Sequence, residues 1–449
     1  MNEADIIAPI PISPTSLVIK ARRFIVDFAR HPGFYRDLIF FMASTATVSG
    51  SGFIYWKLVT LLYAPSVVGS AGVALSTAAF LSGIANLGLS TGIVRFTPQA
   101  DPQRKAMLST FSQLVSIVLA LVFSIGFLLG RSIWAPDFLK VPFAAGYAMS
   151  FLALTIISAS SNIQESVLQA ERQSPAMFAK SLFLSLTRLI ALLVLPVAGG
   201  VASLIGSTLY PLALLTILLF WIIPRYFRLA NAHLRFDLPA IRGMFTYSLG
   251  NQVFNLLWSL PSFVFPLIIF NGLGSASNAY FGVAWLFVNL MLIIPNAISL
   301  TLLIDASHDE ANLAKRIGSS LNTNLALLTP ILVVLWIGAP YILGIFGTVY
   351  AANGVDVLRL FVLATVPGAV NSVYLTSKQV TKQIAILNRV TFVLVGLCVG
   401  LGAVLERSAG LVGIGWGWLT GQTVMACILI IPLRFGSFKL SNLINRLRR

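Results

Sequence analysis

Residues 202–242 read ASLIGSTLYPLALLTILLFWIIPRYFRLANAHLRFDLPAIR. The part up to Pro224 has no charged residue, whereas 225–242 carries Arg225, Arg228, Arg235 and Arg242. A helix of about 20 mostly apolar residues crosses the hydrocarbon core of a bilayer, and Lys and Arg collect in the connections that stay on the cytoplasmic side. The stretch therefore reads as a membrane span followed by a cytoplasmic connection.

Outward from this junction the same unit recurs. Apolar stretches lie at 37–63, 67–94, 107–130, 144–168, 176–198 and 202–224, and again at 243–270, 276–303, 319–343, 356–377, 389–405 and 409–433. The expected fold is an all-α integral membrane protein of about twelve transmembrane helices, in two six-helix bundles around a central cavity. Only 10% of the residues are charged, against about 25% in soluble domains.

With the amino end inside, 23 of the 30 basic residues fall in cytoplasmic segments. Only Arg131, Lys140, Arg359 and Arg407 lie outside, and Lys57, Lys180 and Arg188 lie within spans. This asymmetry predicts a multi-pass membrane protein with both termini cytoplasmic. The net charge of +16 then records insertion topology and favours contact with anionic lipid headgroups. Nucleic acid is not the implied partner.

The expected organisation is a cytoplasmic segment 1–36, a first bundle 37–224, a linker 225–242, a second bundle 243–433 and a basic tail 434–449. Within the first segment, 17–36 mixes Phe24, Ile25 and Phe28 with Lys20, Arg22 and Arg23, which reads as an interfacial helix lying on lipid or meeting a partner. Glu3 and Asp5 do not fit a cleaved signal peptide. Cys398 and Cys427 both fall in spans, so neither a disulfide framework nor a metal site is expected.

Six spans per half make the halves comparable as a parallel repeat. A shift of 210 residues puts Gly72-Val73-Ala74 on Gly282-Val283-Ala284, Asn86 on Asn296 and Thr91 on Thr301. Span one contains Gly50 and Gly52 and span seven contains Pro261 and Pro266; Gly, Ser and Pro are common causes of kinks, so these four are the expected hinges.

Two spans carry polar stripes. Ser158, Ser161, Asn162, Glu165, Gln169 and Arg172 recur at helical spacing in span four, and Ser248, Asn251, Gln252, Asn255, Ser259 and Ser262 in span seven. Such residues either bond neighbouring helices, at about 1 kcal/mol each, or line a cavity shared by the halves. Arg188 is the deepest charge. An ionisable group near mid-membrane costs at least about 2.5 kcal/mol and is usually functional, so Arg188 either meets substrate or pairs with Glu165. Lys57 either snorkels or binds, and Arg95 stands at the inner boundary. A cationic cavity suits phosphate or carboxylate groups. The expected substrate-binding set is Lys57, Arg95, Asn162, Glu165, Arg188, Asn251 and Asn255.

No phosphate-cradling Gly-rich loop and no Ser-His-Asp arrangement is present, and the three His residues, His31, His233 and His308, all fall in cytoplasmic segments. No cofactor and no enzymatic activity is expected.

Tyr63-Ala64-Pro65-Ser66-Val67-Val68-Gly69 followed by NLGLSTGIVRFT over 86–97 resembles the second-helix signature of the polysaccharide-synthesis flippases. The matching positions are Pro65, Gly69, Gly88, Leu89 and Arg95. That family belongs to the superfamily of multidrug, oligosaccharidyl-lipid and polysaccharide exporters. The resemblance implies two bundles around a V-shaped, often cationic cavity. It also implies a place in a bacterial inner membrane and transport of an undecaprenyl-diphosphate-linked oligosaccharide from the cytoplasmic to the periplasmic leaflet, with polysaccharide polymerase or export machinery as partners. A small-molecule exporter of the same fold and a membrane-embedded glycan enzyme are the competing classes. The chain has no room for the two further helices usual in lipid II flippases, which argues against lipid II as substrate.

Overall fold

The computed structural model describes residues 32–136, 138, 144–226, 238–295, 297–299 and 313–435. The expected interfacial helix at 17–36, most of the linker 225–242 and the tail 434–449 lie largely outside these residues. Among the described residues there is no strand. The helices are α1 Pro32–Leu62, α2 Pro65–Ala85, α3 Leu89–Phe96, α4 Pro102–Leu129, α5 Arg131–Trp134, α6 Ala144–Ala170, α7 Ser174–Val194, α8 Gly200–Tyr226, α9 Leu238–Leu273, α10 Ser275–Met291, α11 Leu313–Gly344, α12 Thr348–Val380 and α13 Ile384–Phe435.

Ten of these runs are long and apolar enough to cross a membrane. One of the ten, α13, is two helices, because Gly410 (φ 58°, ψ −139°) interrupts it. A further crossing is α1, 31 residues long but diluted by the polar run 45–52. Twelve crossings result among the described residues. The start of α1, the end of α13 and the turns near residues 98–101, 171–173 and 381–383 share one side, called here the terminus side; the turns near 63–64, 195–199, 274, 345–347 and 407–410 share the far side.

Span two differs from its sequence reading. A single helix over 67–94 is expected, but Leu87 (φ 45°) and Gly88 (φ 73°) enter the left-handed region and split it into α2 and α3. Gly88 also has no space for a side chain, since a Cβ there would lie 2.4 Å from the Ser248 carbonyl oxygen of α9. The break lets α9 pass close to the second helix.

The 210-residue offset holds in the backbone. α6 ends at Ala170 and α12 at Val380. Arg172 (φ 53°) and Lys382 (φ 55°) then take the same left-handed conformation. Gln173 N–H donates to the Leu168 carbonyl at 2.9 Å, and Gln383 N–H to the Lys378 carbonyl at 2.9 Å, the six-residue closure of a Schellman turn. Farther on, Gly200 (φ 55°, ψ −123°) matches Gly410 in both angles. Equivalent helices meet at the pseudo-axis. α2 packs on α10, where a Cβ on Gly69 would lie 1.6 Å from the Ser275 carbonyl oxygen and Asn278 Nδ2 donates to the Gly69 carbonyl at 2.8 Å.

Packing differs between the two sides. A core cluster reaching the far side draws on both halves, joining Tyr55, Val59 and Tyr63 of α1 to Phe265, Phe287, Phe346 and Tyr350. Phe53 meets Phe346 edge-on at 5.1 Å, and Lys57 Nζ donates to the Ile345 carbonyl beyond the end of α11. On the terminus side Leu89, Ile93 and Ile163 of the first half cluster with Ile241 and Met244 of α9, whereas Tyr374, Leu387, Cys398 and Met425 form a separate cluster within the second half. No residue from 39 to 52 of α1 is buried. The halves are joined on the far side by this cluster, and on the terminus side α9 packs on α3 while the 39–52 stretch of α1 stays open.

Candidate functional site

A polar stripe on α1 faces another on α7. Ser44, Ser51 and Tyr55 on α1, and Ser181, Ser185 and Arg188 on α7, are spaced by three, four or seven residues, which keeps each set on one helix face. The two faces are joined by Ser44–Ser181 (2.6 Å) and by Ser51 donating to Ser185 (2.8 Å), each worth about 1 kcal/mol between membrane helices. Above these bonds the Arg188 guanidinium lies over the Tyr55 ring, 3.7 Å from its centroid. The Tyr55 hydroxyl in turn meets Ser207 Oγ at 2.8 Å, which fixes the ring.

These helices, with α8 and the edge of α6, enclose a cavity of about 530 Å³. It runs from Phe41 and Met177 near the terminus side to Arg188 and Thr208 deeper in the bundle. Two of its buried polar atoms, Arg188 Nε and Thr208 Oγ1, lack hydrogen-bond partners. Among the described residues no carboxylate pairs with Arg188. A cation held over an aromatic face, with unspent donors and an unpaired hydroxyl beside it, can bind an anionic oxygen.

Glu165 also lines this cavity but is committed elsewhere. Its carboxylate accepts from Lys180 Nζ at 2.8 Å, and Lys180 also donates to the Ser161 carbonyl at 3.1 Å. The alternative in which Glu165 neutralises Arg188 is therefore corrected. Glu165 and Lys180 are equally far in sequence from the α6–α7 turn, so antiparallel packing brings them to one height. Arg188 stands about 12 Å farther along α7 at 1.5 Å per residue.

The structure does not gather the other expected ligands here. Lys57 lies two residues beyond Tyr55, about 200° around α1, and is engaged with Ile345 across the halves. Arg95 is exposed in the last turn of α3. Asn162 and Asn255 are exposed on α6 and α9 and do not line the cavity; the Asn251 side chain is outside the described residues. The span-seven stripe works partly as glue, since Gln252 Nε2 donates to the Gly83 carbonyl at 2.8 Å. Thus the cavity lies in the first half, not between stripes of both halves. Of the expected hinges, Gly52 lines it, Gly50 faces open space, and Pro261 and Pro266 sit inside the unbroken run of α9, where each removes one backbone hydrogen bond.

Sequence reasoning missed Tyr55, Ser181, Ser185 and Thr208. The signal was present in the spacing of the serines on α1 and α7, but single hydroxyls dispersed among apolar residues stand out less than the Asn- and Glu-bearing stripes.

Solved transporters have the same fold. An inward-facing multidrug resistance MATE family transporter of the MOP superfamily superposes with a TM-score of 0.65 at 16% identity, covering 91% of this chain and 96% of that one. MATE in complex with MaL6 gives 0.63 at 16% identity, over 92% and 97%. A MOP superfamily transporter from Pyrococcus furiosus, described as having a binding pocket of reverse polarity, gives 0.60 at 15%, over 90% and 94%. No curated protein sequence matches this chain. A family model described as polysaccharide biosynthesis protein matches residues 58–301, more than half of the chain. By that match this membrane protein, with the fold of MOP superfamily transporters, belongs to the polysaccharide biosynthesis protein family.

Proposed function

We propose that the protein is a flippase that moves an undecaprenyl-diphosphate-linked oligosaccharide from the cytoplasmic to the periplasmic leaflet of a bacterial inner membrane, for O-antigen, capsule or exopolysaccharide synthesis. The observation that carries this reading is Arg188. It is a cation deep in a membrane helix, stacked on Tyr55 and, among the described residues, unpaired by any carboxylate, in a hydroxyl-lined cavity. A diphosphate supplies the anionic oxygens and a sugar chain the hydroxyl groups that such a wall accepts. The excess of Lys and Arg on the terminus-side connections supports a cytoplasmic terminus side, and the cavity runs from Arg188 toward Phe41 and Met177 on that side, so a newly made lipid-linked unit enters from there.

In this scheme the headgroup occupies the cavity and the prenyl tail stays in lipid. Separation of the far-side contacts and closure of the terminus side by rocking of the halves completes alternating access. The test is the sidedness of lipid-linked glycan in cells lacking the protein, read with a membrane-impermeant sugar label and lipid extraction. Complete units held on the cytoplasmic face are expected, restored to export by the parent chain and not by Arg188→Ala; normal sidedness in the deletion overturns the reading.

A further inference from the structure

The two fronts where the halves meet beside the pseudo-axis are equivalent in topology and unlike in sequence. The 210-residue offset pairs α1 with α9 and α2 with α10, so the front where α9 faces α2 and α3 has its counterpart where α1 faces α10. Gly88 and Gly92 on the first front correspond to Ile298 and Leu302 on the second. The separation of two packed helices is set by the side chains at their contact, and the glycines let α9 come close. A Cβ on Gly92 would lie 2.5 Å from both Met244 Cγ and Ser248 Oγ. Ile298 and Leu302 carry the bulk that the glycines lack.

α9 accordingly packs on the first half over its whole height. At the terminus side Ile241 and Met244 join Leu89 and Ile93. At mid-height Gln252 bonds the Gly83 carbonyl and Phe263 stacks on Phe80 at 4.3 Å. Toward the far side Leu267 and Phe270 belong to the cluster of Val73, Phe127 and Phe151, and Asn271 Nδ2 donates to the Trp134 carbonyl at 2.5 Å. α9 is equally close to its own half, since a Cβ on Gly402 would lie 2.8 Å from Phe265 Cε1. α1 does not repeat this. Met42, the counterpart of Gln252, is 62% exposed, and Phe53, the counterpart of Phe263, meets Phe287 and Phe346 of the far-side cluster at 6.2 and 5.1 Å.

We infer that α9 is a permanent seam, which holds both halves through the transport cycle while they turn about it and open and close at the α1 front. Parting α9 from the first half would undo packing at three heights, whereas the α1 front is held toward one end, by Phe53 and by Lys57 on the Ile345 carbonyl. This inference rests on the transport reading above and makes its rocking motion one-sided.

The test is cross-linking in cells, in the full chain with Cys398→Ala and Cys427→Ala and a protease site inserted in the 225–242 linker, so that a cross-link is read as fragments that stay together. Asn271→Cys with Trp134→Cys ties the seam toward the far side; Phe53→Cys with Phe346→Cys ties the α1 front toward the same side. Both pairs are joined by a short membrane-permeant bismaleimide, and glycan sidedness is compared with that of the same variants before reaction. Export is expected to survive the first cross-link and to be lost with the second. Symmetric separation of the halves requires loss with both, and that result overturns the seam, as does export that survives both. Phe80→Cys with Phe263→Cys and Lys57→Cys with Ile345→Cys repeat the comparison where a first pair exports poorly before reaction. Sidedness in the deletion strain judges the transport reading by itself, so a failed seam and a failed flippase give different results.

Discussion

The guanidinium of Arg188 rests 3.7 Å above the ring of Tyr55, and that ring is pinned by its own hydroxyl to Ser207. α1, α7 and α8 are thus tied through one cation. Cation–π contact contributes about 0.5–2 kcal/mol, enough to orient the charge without spending its donors. Arg188→Ala is expected to lower export by about 10- to 100-fold, the loss of one or two charge-assisted hydrogen bonds. Tyr55→Leu should approach the same defect by releasing the guanidinium. Tyr55→Phe should keep most export and lose about 1 kcal/mol of stability. Surface glycan and membrane-inserted protein, quantified together, check all three; full export in Arg188→Ala would remove this residue from the mechanism.

The two members of the Glu165–Lys180 pair differ in exposure, with side chains 52% and 5% accessible. Opposite outcomes follow. Glu165→Gln leaves the Lys180 ammonium beside the cavity and adds positive potential there, so binding of an anionic headgroup should be retained or strengthened. Lys180→Met leaves an uncompensated carboxylate on the cavity wall and should weaken export by about tenfold or more. The double variant should fall between them. Export rates for the three variants, measured at equal protein level, decide the matter.

Gly200 and Gly410 share a backbone conformation that residues with a Cβ rarely adopt. Neither has a heavy atom closer than 4.0 Å to where the Cβ would be, so strain rather than collision sets the effect. Gly200→Ala and Gly410→Ala should each cost about 1–3 kcal/mol, with similar losses in the two halves. Thermal melting in detergent reads both; a large difference between them would argue against equivalent turns.

Gly69 has no such freedom, because Ser275 backbone occupies the place of its Cβ. Gly69→Leu should pry α2 from α10 and loosen the far side. A Cys introduced at Val59, 0% exposed in this state, should then react with a membrane-impermeant maleimide several-fold faster than in the Gly69 parent.

Much of this architecture was readable from residue order, and the reason is physical. Lipid forces every crossing to be helical and mostly apolar, so Arg225–Arg242 and its neighbours mark the boundaries. The offset that aligns Gly72 with Gly282 predicts the matched turns at Arg172 and Lys382. The break at Leu87-Gly88 was not foreseen, because nothing local shows that α9 will need the space. The site was partly readable. Arg188 stood out by depth alone, but its partner depends on which residues share a height across antiparallel helices. Counting outward from the α6–α7 turn gives Glu165 with Lys180; counting by charge sign alone gives Glu165 with Arg188, which is wrong. Lys57 shows the same limit, since depth was right and azimuth was not known.

The buried aromatic cluster that joins α1 to Phe265, Phe287 and Phe346 has a consequence for a protein under a membrane potential. A membrane potential exerts about 2.3 kcal/mol per elementary charge per 100 mV, and a polar chamber wide enough for a sugar headgroup would short that field if water reached through it. Close-packed rings leave no file of water for ions or protons to follow. If the Arg188 cavity carries a glycolipid headgroup as proposed, such a seal lets a wet, charged chamber stand open to one compartment without leaking current, and the cargo crosses by moving the seal itself.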